Sequence, residues 1–420
     1  MKIPEIHPID KISFTPPEAI LLSNQLQLYG FNGAKNDILR LELVFDSGRW
    51  TEPAPLIAES VAKLFKSGTS SQNSFELNEA IENYGSTIRA SAGYNTFTIS
   101  VYCLNRFLAP TLQLLRTCLT DIVFPQKEID LMQQNALARL KVSKEKNDYL
   151  AEVAFKKNIY GAQHPYGYET TETAIQQISQ ALLFQFYKND LQLNNATLFI
   201  AGKYGTTELN LIEQYLGTLS TASKKAQKMK PEIHNNFLQQ KISIQKPNSV
   251  QASIVIGKTF FNKHHADYPA FLLLNTIFGG YFGSRLMSNI REEKGLTYGI
   301  YSSLAALKYA GTFSIQTDTN LENLEICLRE IYMEMERLQK MLIDEHEITL
   351  ARNYLLGKFL GRTDGPFNQI EVFKSYSIEG VPIHKFEAFV ETIRQTDALS
   401  LQQLAQQYLT RESMCEVVVG

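Results

Sequence analysis

Apolar and polar positions alternate over residues 17 to 45, which predicts strands around a turn. Leu39, Leu41, Leu43 and Phe45 share one face, and Arg40, Glu42 and Val44 the other, the period of a half-buried strand. The spacing then changes to that of helices. Pro53 to Lys66 reads as an apolar-faced helix ended near Gly68, and Phe75 to Tyr84 as a short helix stopped by Gly85. Residues 87–104 read as a strand pair turning near Gly93, Leu108 to Leu119 as a helix, and Pro125 opens a long helix through Lys144. A loop with Gly161, Pro165 and Gly167 follows. Helices from about Glu172 to Tyr187, a strand ending at Gly202 and a helix from Leu209 to Leu219 complete the half. Residues 221–248, rich in Lys and Gln with few large apolar side chains, have the character of a linker.

The second half repeats this order. SVQASIVIG answers DILRLELVFDSG, DYPAFLLLNTIFGG answers PAPLIAESVAKLFKSGT, and the closing CEVVVG answers TLFIAG. Gly85 and Gly295 each end a short helix before a hairpin. The expectation is an α+β chain of two tandem units, residues 1–220 and 249–420, each a largely antiparallel sheet backed by helices.

Composition fits that size. A chain of 420 residues exceeds one ordinary domain, and 44% hydrophobic with 20% charged residues is ample for a globular core. A net charge of −2 with no massed basic element argues against nucleic acid or an anionic membrane as partner. Cys103, Cys118, Cys327 and Cys415 lie far apart without a CxxC pair and read as buried free thiols. No apolar run has the length of a signal peptide or a membrane span. With Met1 as the native start the expected compartment is the cytoplasm; removal of a leader would make it the periplasm.

The densest chemistry lies in GGYFGSRLMSNIREEKGLTYGIYS, Gly279 to Ser302. Gly279, Gly280 and Gly283 suggest a loop that holds chain or ligand, Ser284 a cap for the next helix, and Lys294 with Gly295 its stop. Leu296 to Ser302 reads as a strand. Arg291 near the helix end and Tyr298 early in the strand could both donate to one carbonyl or oxyanion. The alternative is a salt-bridged Arg and a Tyr with its hydroxyl in water.

This segment resembles the C-terminal half of the M16 metallopeptidases, the family of pitrilysin, insulinase and the processing peptidases. The resemblance covers nearly the whole chain and implies that Arg291 and Tyr298 contact bound peptide, with Gly279, Gly280, Gly283 and Ser284 in a substrate-contacting segment. Active members carry an HxxEH zinc motif in the first half. Two histidines one helical turn apart chelate the metal, and the glutamate activates water. Aligned on LFKSGT, those positions fall on Glu59, Ser60, Val61, Ala62 and Lys63, so both histidines and the catalytic glutamate are missing. The third ligand should be a glutamate on the long helix closing this half, yet residues 131–144 hold no carboxylate. No histidine lies between His7 and His164, so a shifted alignment restores nothing. His164 reads as structural, adjacent His264 and His265 chelate poorly on a helix, and His346 lacks a second histidine at i+4.

The resemblance therefore implies a subunit without zinc or any other cofactor of its own. It would pair as a heterodimer with a homologous HxxEH-bearing chain that holds the zinc, and bind unfolded peptide. No peptidase activity is expected of this chain alone. The alternatives are an inactive scaffold, or a peptide-binding homologue acting without a protease partner.

Overall fold

The computed structural model describes residues 9, 12–220 and 237–420. The first half contains strands β1 (Glu18–Leu21), β2 (Gln27–Asn32), β3 (Ile38–Phe45), β4 (Thr87–Ala92), β5 (Phe97–Leu104) and β6 (Ala196–Gly202). Its helices are α1 (Ile57–Lys63), α2 (Ser74–Asn83), α3 (Leu108–Thr120), α4 (Gln126–Lys144), α5 (Asn147–Tyr160), α6 (Glu172–Gln176), α7 (Gln180–Asp190) and α8 (Thr206–Ile212). The second half contains β7 (Lys241–Ile244), β8 (Gln251–Phe260), β9 (Ile300–Ala306), β10 (Gly311–Asn320) and β11 (Cys415–Val419). Its helices are α9 (Tyr268–Asn275), α10 (Leu324–Lys340), α11 (Glu345–Arg362), α12 (Gly365–Glu379), α13 (Lys385–Gln395) and α14 (Ala398–Tyr408), with π-helical turns at Thr276–Gly280 and Met287–Glu293.

Two sheets result, ordered β1-β2-β6-β3-β5-β4 and β7-β11-β8-β10-β9. Apart from the extra edge strand β1, the second order repeats the first. Each sheet is antiparallel except for one parallel pair in the equivalent place, β2 with β6 and β7 with β11. Gly85 and Gly295 adopt the same left-handed backbone, φ +58° and +62°, at the ends of the equivalent short helices. The architecture is thus the expected α+β pair. Of the stretch read as a linker, residues 221–236 lie outside the described residues. Its end is corrected: Lys241–Ile244 form β7, hydrogen-bonded to the closing strand β11.

Each half lends a helix to the other. α5, from the first half, packs on β8 and β11, burying Ala151, Phe155 and Ile159 against Val255, Val417 and Val419. α12, from the second half, packs on β2 and β6, burying Ile370 against Phe31, Val44, Phe199 and Ala201. This corrects the half-buried reading of β3. Its polar face is covered by α12, so Val44 and even Glu42 are buried. Glu42 survives there because Arg40 and Ser100 donate to it at 2.7 and 2.9 Å and Lys374 of α12 at 2.5 Å.

Helix α1 is shorter than predicted. Leu56 takes a left-handed conformation, φ 72°, and Glu52 accepts the amides of Leu56 and Ala58 at 3.3 and 2.9 Å. The helix therefore starts at Ile57. All four cysteines are free and buried; burial pushes the thiols of Cys103 and Cys118 up to about 12.

Candidate functional site

The segment from Gly279 to Ser302 wraps the end of the second sheet. Gly279 and Gly280 are not in a loop, contrary to the expectation, but close the π-helical turn that extends α9. A Cβ on Gly279 would lie 2.6 Å from Ser302 Oγ and 2.7 Å from its amide, so this glycine lets α9 close on β9. Gly283 is exposed, whereas Ser284 is buried and its hydroxyl has no hydrogen-bond partner. The expected side-chain cap is therefore not formed.

Residues 285–293 form one short helix held at both ends. Arg285 makes a bidentate ion pair with Glu347 of α11 at 2.8 and 2.7 Å. Asn289 donates to Glu330 and Glu334 of α10 at 3.2 and 2.8 Å, and Lys294 donates to Asn289 at 2.7 Å and pairs with Glu330. The carboxylate of Glu330 sits below the usual range. Desolvation opposes ionisation, but hydrogen bonds from Lys294 and Asn289 and the charge of Lys294 outweigh it.

Beyond Gly295 the predicted strand begins later than expected, at Ile300. The intervening residues have no regular structure, with Tyr298 at a bend, and are pinned by threonines. Thr319 donates to the Leu296 carbonyl at 2.7 Å, and Thr317 reaches Thr297 and the Gly299 carbonyl, both at 2.9 Å. Tyr298 stands between these anchors, 93% exposed. Arg291 stacks over Phe282 at 4.7 Å from the ring centroid, and Phe282 is itself 59% exposed. Among the described residues Arg291 forms no ion pair and Tyr298 no hydrogen bond. The phenol and the Phe282 ring are thus presented to solvent on a braced frame, with the half-buried Arg291 laid over that ring. Sequence reading found Arg291 and Tyr298 but not Phe282, whose signal was only an aromatic between two glycines.

The positions that the sequence resemblance aligns with a zinc motif, Glu59, Ala62 and Lys63, lie on α1. Lys63 pairs with Glu59 at 2.7 Å, Arg49 lies 3.9 Å from Glu59, and Ala62 is buried. Glu59 and Lys63 line a cavity of about 260 Å³, faced from α4 by Met132, Ala136 and Arg139. Two cations and one neutralised carboxylate are the wrong donor set for Zn²⁺, which takes thiolate, imidazole or free carboxylate ligands. The residues present do not fit the metal. No cluster of three potential ligands occurs elsewhere among the described residues. His164 is packed against Trp50 and Tyr166 with Nδ1 accepting from the Tyr166 amide at 3.0 Å, and burial lowers its pKa.

The two places adjoin. Ser143 and Tyr149 line both the α1 cavity and a second one of about 460 Å³, which reaches Gly299 and Tyr301 beside the Tyr298 segment.

Comparison with known proteins agrees with this geometry. Residues 177–355 match the family model described as "Peptidase M16 inactive domain". Over that stretch the chain is similar to the M16 peptidase family. A Bacillus subtilis relative, "Uncharacterized zinc protease YmxG", is 22% identical over 308 residues, covering 72% of this chain and 73% of that protein. The Helicobacter pylori "Non-peptidase homolog YmxG" is 21% identical over 363 residues, 81% of this chain and 78% of that one. Among solved structures, the peptidase M16 inactive domain from Pseudomonas fluorescens superposes with a TM-score of 0.83 at 21% identity, covering 96% and 98% of the two chains. Two of the similar proteins carry names that call them inactive, the "Non-peptidase homolog YmxG" and the Bacillus subtilis "Probable inactive metalloprotease YmfF". No helix among its described residues is long and apolar enough to cross a membrane.

Proposed function

We propose that this chain is the subunit of a heteromeric M16 peptidase that lacks zinc, binds an unfolded peptide and assists its hydrolysis at a partner subunit's zinc. The observation that carries the reading is an imbalance within one molecule. Arg291 and Tyr298 are unpaired donors on a frame braced by Glu330, Glu347 and Thr317, whereas the metal positions are closed by the Lys63–Glu59 pair. A guanidinium and a phenol held still and unengaged are suited to a peptide carbonyl or the oxyanion formed from it. The exposed edge of β9 beside them offers main-chain pairing to an extended peptide. In this reading Gly283 lies beside the peptide, while Gly279 and the buried Ser284 shape the support beneath it. Its two repeat units are residues 1–220 and, with β7 included, 241–420.

A second reading, an inactive scaffold, is favoured by the names of relatives such as the "Non-peptidase homolog YmxG". One experiment separates them: co-expression with an HxxEH-bearing M16 chain, size-exclusion chromatography, and cleavage of a quenched unfolded peptide. Association with cleavage that falls on Arg291→Ala supports the first. A pair that never forms, or cleavage indifferent to that substitution, leaves the scaffold.

A further inference from the structure

A third cavity, of about 620 Å³, lies among α9, α11, α12 and α13, apart from the Arg291–Tyr298 frame. That volume lies within the roughly 300–1,000 Å³ of small-molecule sites. Its walls are apolar and largely aromatic: Leu272, Leu304, Phe359, Phe386 and Phe389.

The polar groups around it divide by whether they are already engaged. Lys263 donates to Glu379 at 2.6 Å, and Glu371 is matched by Arg40 and Lys374, so these charges cancel locally. Four groups are left over. Tyr268 and Tyr376 are buried, 5% and 7% exposed, and neither hydroxyl hydrogen-bonds to a described residue. Neither hydroxyl is sealed off from solvent, so each remains free to donate to a ligand. Lys358 and Arg362 stand one turn apart on α11 and line the same cavity, and neither forms an ion pair with a described residue. All four are donors, two of them cationic, and no unpaired carboxylate lines the cavity.

We infer that this cavity binds a small carboxylate with an apolar body, its tail among the phenylalanines and its head taken by Lys358, Arg362 and the two phenols. Charge complementarity selects the head, because an arginine fork and an ammonium without counter-ions favour a carboxylate over a neutral or cationic group. The apolar walls select the tail. A free fatty acid and the C-terminus of a peptide ending in apolar residues share that chemistry.

Calorimetric titration of the full chain tests it. Decanoate should bind one equivalent, at least about tenfold more tightly than decanol, and decyltrimethylammonium should not bind. Lys358→Gln with Arg362→Gln, both exposed and harmless to folding, should weaken decanoate about tenfold or more. Leu272→Trp, which fills the cavity, should abolish binding. Acetyl-Phe-Leu binding where its C-terminal amide fails would assign the peptide source, and decanoate binding alone the fatty acid. Equal affinity for decanoate and decanol, or full affinity in the double variant, overturns the inference.

Discussion

The ammonium of Lys63 lies 2.7 Å from the carboxylate of Glu59, one turn back along α1, at positions that the sequence resemblance aligns with the zinc histidines of active M16 members. The pair satisfies both charges without a metal. The purified chain is therefore expected to retain less than about a tenth of an equivalent of zinc after dialysis. Chelator should leave its thermal midpoint unchanged, because no folding energy is linked to metal here. Lys63→Ala should cost no more than about 1 kcal/mol, the worth of a half-exposed ion pair. Stoichiometric zinc by elemental analysis would contradict this.

Arg291 and Tyr298 carry little of the fold. Tyr298→Phe and Arg291→Ala should each change unfolding free energy by less than about 0.5 kcal/mol. In the complex with a zinc-bearing partner, the same substitutions should lower kcat/KM for an unfolded peptide by about 10²-fold or more. Denaturation curves and peptide kinetics on the same preparations separate the two effects, and an unfolded variant would show in the first.

The exchanged helices couple the halves. Phe155→Ala on α5 should cost about 3–5 kcal/mol and Ile370→Ala on α12 about 2–5 kcal/mol, the range for emptied core sites. Both should lower the urea midpoint reported by Trp50, although Ile370 belongs to the other half. Trp50 itself contacts Tyr309 at 4.8 Å between ring centroids, and Lys308 pairs with Asp46 beside it. Separate transitions for the two halves would show that the exchange does not enforce cooperativity.

The Glu42 cluster predicts an acid limit. Burial opposes ionisation of this carboxyl, but Lys374 and Arg40 outweigh it and hold its pKa below the ordinary 4.5. A carboxylate whose folded pKa is depressed contributes stability above its unfolded pKa. That contribution is lost as pH falls from about 4.5 through the lower folded value. Glu42→Gln should destabilise the chain at neutral pH by about 1–3 kcal/mol, since Arg40 and Lys374 lose a buried carboxylate but keep Glu371. It should also flatten the stability-versus-pH slope below pH 5 in equilibrium denaturation. An unchanged slope would place the acid limit elsewhere.

Much of this molecule could be read from residue order alone. The alternation in β3 and its counterpart in β8, the glycine stops at Gly85 and Gly295, and the missing ligands from Glu59 to Lys63 are local properties, and local sterics and donor chemistry suffice to state them. Four helices escaped reading, α13, α14, α5 and α12, and of these α5 and α12 pack on the opposite half. Their apolar positions answer to a surface about a hundred residues or more away in sequence, so no nearby pattern shows what they cover.

The candidate site divides in the same way. That Arg291 stands four residues before a glycine stop and Tyr298 three after it was a matter of residue type and spacing. That Arg291 has no ion pair and Tyr298 no hydrogen bond among the described residues was decided by the braces. Glu347 takes Arg285, Glu330 takes Lys294 and Thr317 holds Thr297, and each of these contacts joins segments that only the closed fold brings together. Covalent order determines which donors and acceptors exist. Long-range packing determines which of them are used up, and the chemistry available to a ligand is what is left unpaired.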